Sequence, residues 1–142
     1  LFQTSPDLDW ADKIVSLTYQ IIKYFKPRVW YMENPVGGCF TLETRGILDA
    51  RYLKQTSYCK HGCLYQKHTG IWTNDNAMVL AGKCTPSSPC SHKLCTGLAY
   101  HKMAVGPQNK NIPTQSRVMT EKERSRVPQS LLDCVSWMDY DV

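Results

Sequence analysis

The stretch Pro27-Arg28-Val29-Trp30-Tyr31-Met32-Glu33-Asn34-Pro35-Val36-Gly37 sets the fold expectation for the whole chain. Val29 to Met32 is a short apolar run, which predicts a buried strand. Glu33-Asn34-Pro35 then forms a polar tip, and Gly37-Gly38 supplies a turn. Upstream, Leu8, Ala11, Ile14, Val15, Leu17, Ile21, Ile22 and Phe25 recur with a period of about 3.6 residues, which predicts a helix from Leu8 to Phe25. Ser5 or Asp7 suits its cap, Pro6 its first turn and Pro27 its stop. Helix, strand and polar tip are the grammar of an open α/β sheet, in which ligands bind outside the carboxyl ends of the strands. Glu33 and Asn34 are therefore the first place to look for chemistry. Asn-Pro is also a common turn starter, and the residues alone leave that reading open.

Further along, Tyr52 to Tyr58 alternates as a second strand would, Cys59 to Cys63 reads as a turn, and Thr69 to Thr73 reads as a third strand. Between them Lys60, His61, Lys67 and His68 share a hairpin-like loop. Residues 82 to 115 look irregular, rich in Pro, Gly, Ser, Thr and Cys, and a stretch this long needs a staple. A last helix is expected from Pro128 to Met138, with Leu131, Leu132, Val135 and Met138 on one face. This divides the chain into an α/β core segment at 1–81, a Cys/His-rich segment at 82–116 and a C-terminal helical segment at 117–142.

The 142 residues are 42% hydrophobic and 20% charged, a globular rather than a disordered composition. No apolar run approaches a membrane span, and the first residues carry no signal-peptide pattern. The chain opens without Met, which reads as a piece of something longer. A formal charge of +5 favours an anionic partner such as nucleic acid, although many domains reach it without one. Seven cysteines cannot all pair as disulfides.

Taken together, the motifs resemble the C5 cytosine-specific DNA methyltransferase family, closest to its phage and giant-virus branch. That branch shows Glu-Asn-Pro followed by Gly, then Ser-Tyr-Cys-x-x-Gly, Lys-x-Thr and Trp-Thr-Asn. Here these are Glu33-Asn34-Pro35, Ser57-Tyr58-Cys59-Lys60-His61-Gly62, Lys67-His68-Thr69 and Trp72-Thr73-Asn74. In that branch spaced cysteines, a histidine and a late Arg-x-Ile/Val-Pro-x-x-Leu follow; here stand Cys84, Cys90, Cys95, His101 and Arg126-Val127-Pro128-Gln129-Ser130-Leu131, in which Arg and Val are adjacent. The resemblance implies a partial Rossmann-like methyltransferase sheet and a target-cytosine pocket. In this chemistry a thiolate adds at C6 of the base, and C5 then takes the methyl group of S-adenosylmethionine (SAM). A carboxylic acid near N3 makes that addition easier. The resemblance implies Glu33 as this catalytic group, with Asn34, Pro35, Lys67 and Thr69 binding the flipped base.

The family's Pro-Cys nucleophile and Gly-rich SAM loop precede the helix that starts here at Leu8; neither stands ahead of that helix in this sequence, whose one Pro-Cys pair, Pro89-Cys90, lies far downstream. The expectation is a portion inactive alone, partnered by DNA and by an N-terminal half or second chain, in an intracellular nuclear or viral DNA compartment, with no membrane role. Cys84-x5-Cys90-x4-Cys95-x5-His101 offers three thiolates and an imidazole to a tetrahedral zinc, with His92 competing; disulfides or free thiols remain open. Cys59, His61 and Cys63 form a second, tighter cluster, which on an extended chain would point the same way. A different functional class follows from the zinc reading. It is a zinc-stabilised nucleic-acid-binding or scaffold module, using Lys93, Tyr100 and Lys102 beside the finger.

Overall fold

The computed structural model describes residues 6–36, 42–91, 101, 103–104, 117–118 and 120–135. It is a mixed α/β chain with a small three-stranded antiparallel sheet. The elements run α1 (Pro6–Phe25), β1 (Tyr31–Pro35), α2 (Leu42–Arg45), a 3-10 turn (Ala50–Tyr52), β2 (Leu53–Ser57), a second 3-10 turn (Tyr58–His61) and β3 (His68–Thr73). They continue with β4 (Met103–Ala104), β5 (Arg117–Val118), α3 (Glu121–Ser125) and α4 (Gln129–Leu132). The sheet order is β1-β3-β2, and β4 pairs with β5 in parallel.

The chain packs as two compact units, Leu1–Lys54 with Gly70–Asn76, and Gln55–Thr69 with Ala77–Val142. Within the second of these, Tyr58 and Tyr65 join Leu131 in one apolar cluster, and Cys59 joins Cys84 and Cys90 in another.

In the first unit, α1 forms where the apolar period predicts it. Lys26 ends it by turning left-handed, at φ 46°, just ahead of Pro27. Val15 and Tyr19 pack against a core of Val36, Leu42, Leu48 and Trp72, with Trp30, Met32, Tyr52 and Leu53 around it. Arg45 of α2 pairs with Asp12 of α1 at 2.8 Å. Burying the core side chains stabilises the unit by roughly 1.5–3 kcal/mol for each one fully enclosed. Trp10, Ile14, Leu17, Ile21, Tyr24 and Phe25 line another face of α1 and stand exposed.

β1 begins two residues later than the apolar run suggested and includes Glu33, Asn34 and Pro35 within the strand. Its entry is fixed from the far end of β3. Asn74 accepts a hydrogen bond from the Trp30 backbone N–H at 3.0 Å and donates to the Arg28 carbonyl at 3.0 Å. The Tyr31 hydroxyl donates to Asp75 at 2.6 Å. These bonds satisfy polar groups that the strand alone leaves over, and so set where β1 starts.

In the second unit, Tyr58, Tyr65 and Leu131 form an apolar cluster with Cys63 and Leu80. Gly62, at φ 86°, closes the 3-10 turn in a left-handed conformation that glycine adopts without strain. Thr120 and Glu123 form a capping box at the start of α3, a Thr-x-x-Glu signal that the sequence itself carries. The last helix is shorter than expected, Gln129–Leu132, and turns through Asp133 and Cys134. Met138 lies outside the described residues.

Candidate metal centre and base-binding strand

Four side chains converge in the second unit. Cys59 comes from the 3-10 turn after β2, Cys84 and Cys90 from the loop after β3, and His101 from further along. Their ligand atoms all lie within 4.8 Å of one another. The thiols are nearly sealed, with exposures of 1%, 2% and 0%, and His101 is 9% exposed. His101 Nε2 stands 3.7 Å from Cys84 Sγ and 3.4 Å from Cys90 Sγ. In a tetrahedral zinc site, bond lengths of about 2.3 Å to sulfur and about 2.0 Å to nitrogen put such atoms about 3.5 Å apart. The donor set and its spacing fit a metal ion such as zinc.

Burial pushes the Cys59 thiol well above its ordinary pKa, and the neighbouring Cys84 and Cys90 thiols push it further. Three thiolates cannot share so small a buried volume unless a cation neutralises them. The five described cysteines, Cys59, Cys63, Cys84, Cys90 and Cys134, are all free thiols rather than disulfides.

The loop carrying two of these ligands is braced apart from any ion. Thr85 and Ser88 exchange backbone hydrogen bonds at 3.1 and 3.2 Å. The Lys60 ammonium donates to Ser88 Oγ at 3.0 Å and to the Pro89 carbonyl at 2.9 Å. Lys60 therefore ties the Cys84–Cys90 loop to the turn that holds Cys59.

Of the four ligands expected from spacing, Cys84, Cys90 and His101 come together, whereas Cys95 and the competing His92 lie outside the described residues. Cys59 takes a place that spacing did not assign to it. The second cluster of Cys59, His61 and Cys63 does not form, for a local reason. The segment is a 3-10 turn, not an extended strand, so alternate residues diverge. His61 Nε2 instead lies 2.9 Å from Thr56 Oγ1, and Cys63 packs beside Tyr65.

The residues that the resemblance assigns to the base fall in both units. Glu33 and Asn34 are half-buried on β1, and Pro35 at its end is exposed. Lys67 precedes β3, its ammonium 4.5 Å over the Tyr58 ring and 3.3 Å from the Tyr58 hydroxyl. Thr69, in β3, is fully enclosed at 0% exposure. Asn74 and Asp75, which sequence reading gave no role, hold β1 in place.

Family models, curated proteins and solved structures were compared with the chain, and none matched. Among the described residues no helix is long and apolar enough to cross a membrane.

Proposed function

We propose that this chain forms the target-cytosine side of a SAM-dependent DNA (cytosine-5) methyltransferase, stapled by a zinc ion on Cys59, Cys84, Cys90 and His101. One observation carries the reading: motifs far apart in sequence bond to one another. Asn74 of Trp72-Thr73-Asn74 fixes the start of the strand that ends in Glu33-Asn34-Pro35. Cys59 of the Ser57-Tyr58-Cys59 motif meets the later cysteines and His101. Under this reading β1 to β3 are part of a larger Rossmann-like sheet.

The chain's own residues then act on the base. Glu33, on a strand anchored at its entry by Asn74 and Asp75, shares a proton with N3 of a flipped cytosine and so makes C6 a better electrophile. Asn34 and Pro35 shape the strand end beside it. Lys67, held against Tyr58, supplies a cation for the DNA backbone. SAM supplies the methyl group when bound. Cys59, Cys84, Cys90 and His101 would together hold a zinc ion, which would serve as a structural staple.

The test uses an enzyme that carries this chain together with a Pro-Cys loop and a SAM loop. Glu33→Gln is expected to lower turnover by about 10²–10⁴-fold, the range for removing a general acid, with DNA affinity little changed. Unchanged turnover would remove Glu33 from the mechanism.

The Cys3His cluster also favours a second reading, a zinc-stabilised nucleic-acid-binding module without catalysis. Its flanking residues Lys93, Tyr100 and Lys102 lie outside the described residues. Such a module holds single strands by itself, and its affinity falls steeply as salt rises.

A further inference from the structure

Cys84 is held at its backbone N–H and its carbonyl by two side chains, which a third joins, and none of the three is a metal ligand. Its backbone N–H donates to Ser57 Oγ at 2.9 Å. Its carbonyl accepts from Gln66 Nε2 at 2.9 Å. Between these two partners stands His68, with Nδ1 2.6 Å from Ser57 Oγ and Nε2 3.2 Å from Gln66 Nε2. The four residues close a ring of hydrogen bonds.

Donor arithmetic fixes the protons in that ring. The Cys84 carbonyl can only accept, so the atom facing it is the Gln66 amide nitrogen. That nitrogen is donor-only, so His68 Nε2 must accept. The His68 proton therefore sits on Nδ1 and is donated to Ser57 Oγ, which also accepts from Cys84 N–H. Ser57 is 0% exposed and Cys84 2%, so a broken member leaves a buried polar group unpaired.

The ring reaches the residue proposed to meet nucleic acid. Lys67 lies between Gln66 and His68 in sequence, its carbonyl accepts from the Tyr58 N–H at 2.9 Å, and its ammonium rests over the Tyr58 ring. Tyr58 is the immediate neighbour of Cys59. Residues 66–68 are thus braced to one ligand through Ser57 and Gln66, and sit against the neighbour of another through Tyr58.

We propose that Ser57, Gln66 and His68 form a positioning frame that orients Cys84 for the metal, and that an ion at the site in turn fixes Lys67. The frame rests on reading Cys59, Cys84, Cys90 and His101 as a metal site. Outer partners of this kind hold ligands at the angle the ion needs, and losing one weakens binding by about 10–100-fold.

The experiment titrates the 142-residue chain with Co(II) and displaces it with Zn(II) against a chromophoric chelator. Amide hydrogen exchange at Lys67 to Thr69 is followed with and without metal. Ser57→Ala and His68→Leu are expected to lose about 10–100-fold in affinity and to shift the Co(II) visible bands. His68→Asn, whose amide N–H can replace Nδ1–H toward Ser57, is expected to recover most of the loss. Metal is expected to slow exchange at Lys67 to Thr69 in the unaltered chain and not in His68→Leu. Gln66→Leu, at a half-buried position, provides a variant in which the fold is less at risk. Affinity and bands equal to those of the unaltered chain in all these variants would overturn the frame. An unaltered chain that takes up neither Co(II) nor Zn(II) overturns the metal site itself, a separate failure.

Discussion

At Gly70 the backbone of β3 passes so close to its neighbours that an added Cβ would sit 2.6 Å from Leu53, 2.8 Å from Val36 and 2.9 Å from Trp72. Val36 and Trp72 are core residues with little room to move. Gly70→Ala is therefore expected to cost about 1–3 kcal/mol in urea unfolding, the usual range for overpacking. A histidine effect belongs to the same scale. Burial, with a smaller contribution from Lys83, lowers the His68 pKa, and burial also lowers that of His61. The unfolded chain binds protons at these groups near pH 6.5, where the folded chain does not. Stability of the metal-free chain is thus present above about pH 6.5 and is lost as pH falls through the folded values. Equal unfolding midpoints at pH 7.5 and pH 5.5 would contradict this.

Elements were legible where one face is buried and the period is regular. The apolar spacing of α1 marked its body, and Pro27 marked its end. The alternation of Tyr52 to Tyr58 placed β2, and the Thr69 to Thr73 run placed β3, each within a residue or two; β3 is buried along nearly its whole length and so carries no alternation. Two things were hidden. The start of β1 depends on Asn74 and Asp75, far along the chain, so the Val29-Trp30-Tyr31-Met32 run alone put the strand too early. The segment carrying Cys59 is a 3-10 turn closed by Gly62, and local spacing then grouped Cys59 with the wrong neighbours. Cys84, Cys90 and His101 were recoverable from spacing because a long irregular stretch rich in thiols needs a staple. Cys59 was not, because only the return of the loop after β3 brings it near.

At the scale of the whole molecule, the metal ligands draw on a turn at residue 59 and on positions 84, 90 and 101, so an ion would close long loops of chain. Binding to the folded state alone stabilises it by mass action, by about 4 kcal/mol when free metal exceeds the dissociation constant a thousandfold. A strong chelator is accordingly expected to lower the melting temperature of zinc-loaded protein by several degrees. Refilling with zinc should restore it, and magnesium should not, because thiolates suit a softer ion. An unchanged melting temperature would mean that the cluster contributes no folding energy through an ion.

The outward stripe on α1, from Trp10 at 66% to Phe25 at 72% exposure, bears on how the isolated chain behaves in the laboratory. A band of aromatic and aliphatic groups along one helix adsorbs to plastic and to air–water interfaces. It also lights up the dyes commonly used to follow thermal melting. Such a melt would begin bright with the fold intact, and high initial fluorescence would report the surface of α1 rather than a molten chain.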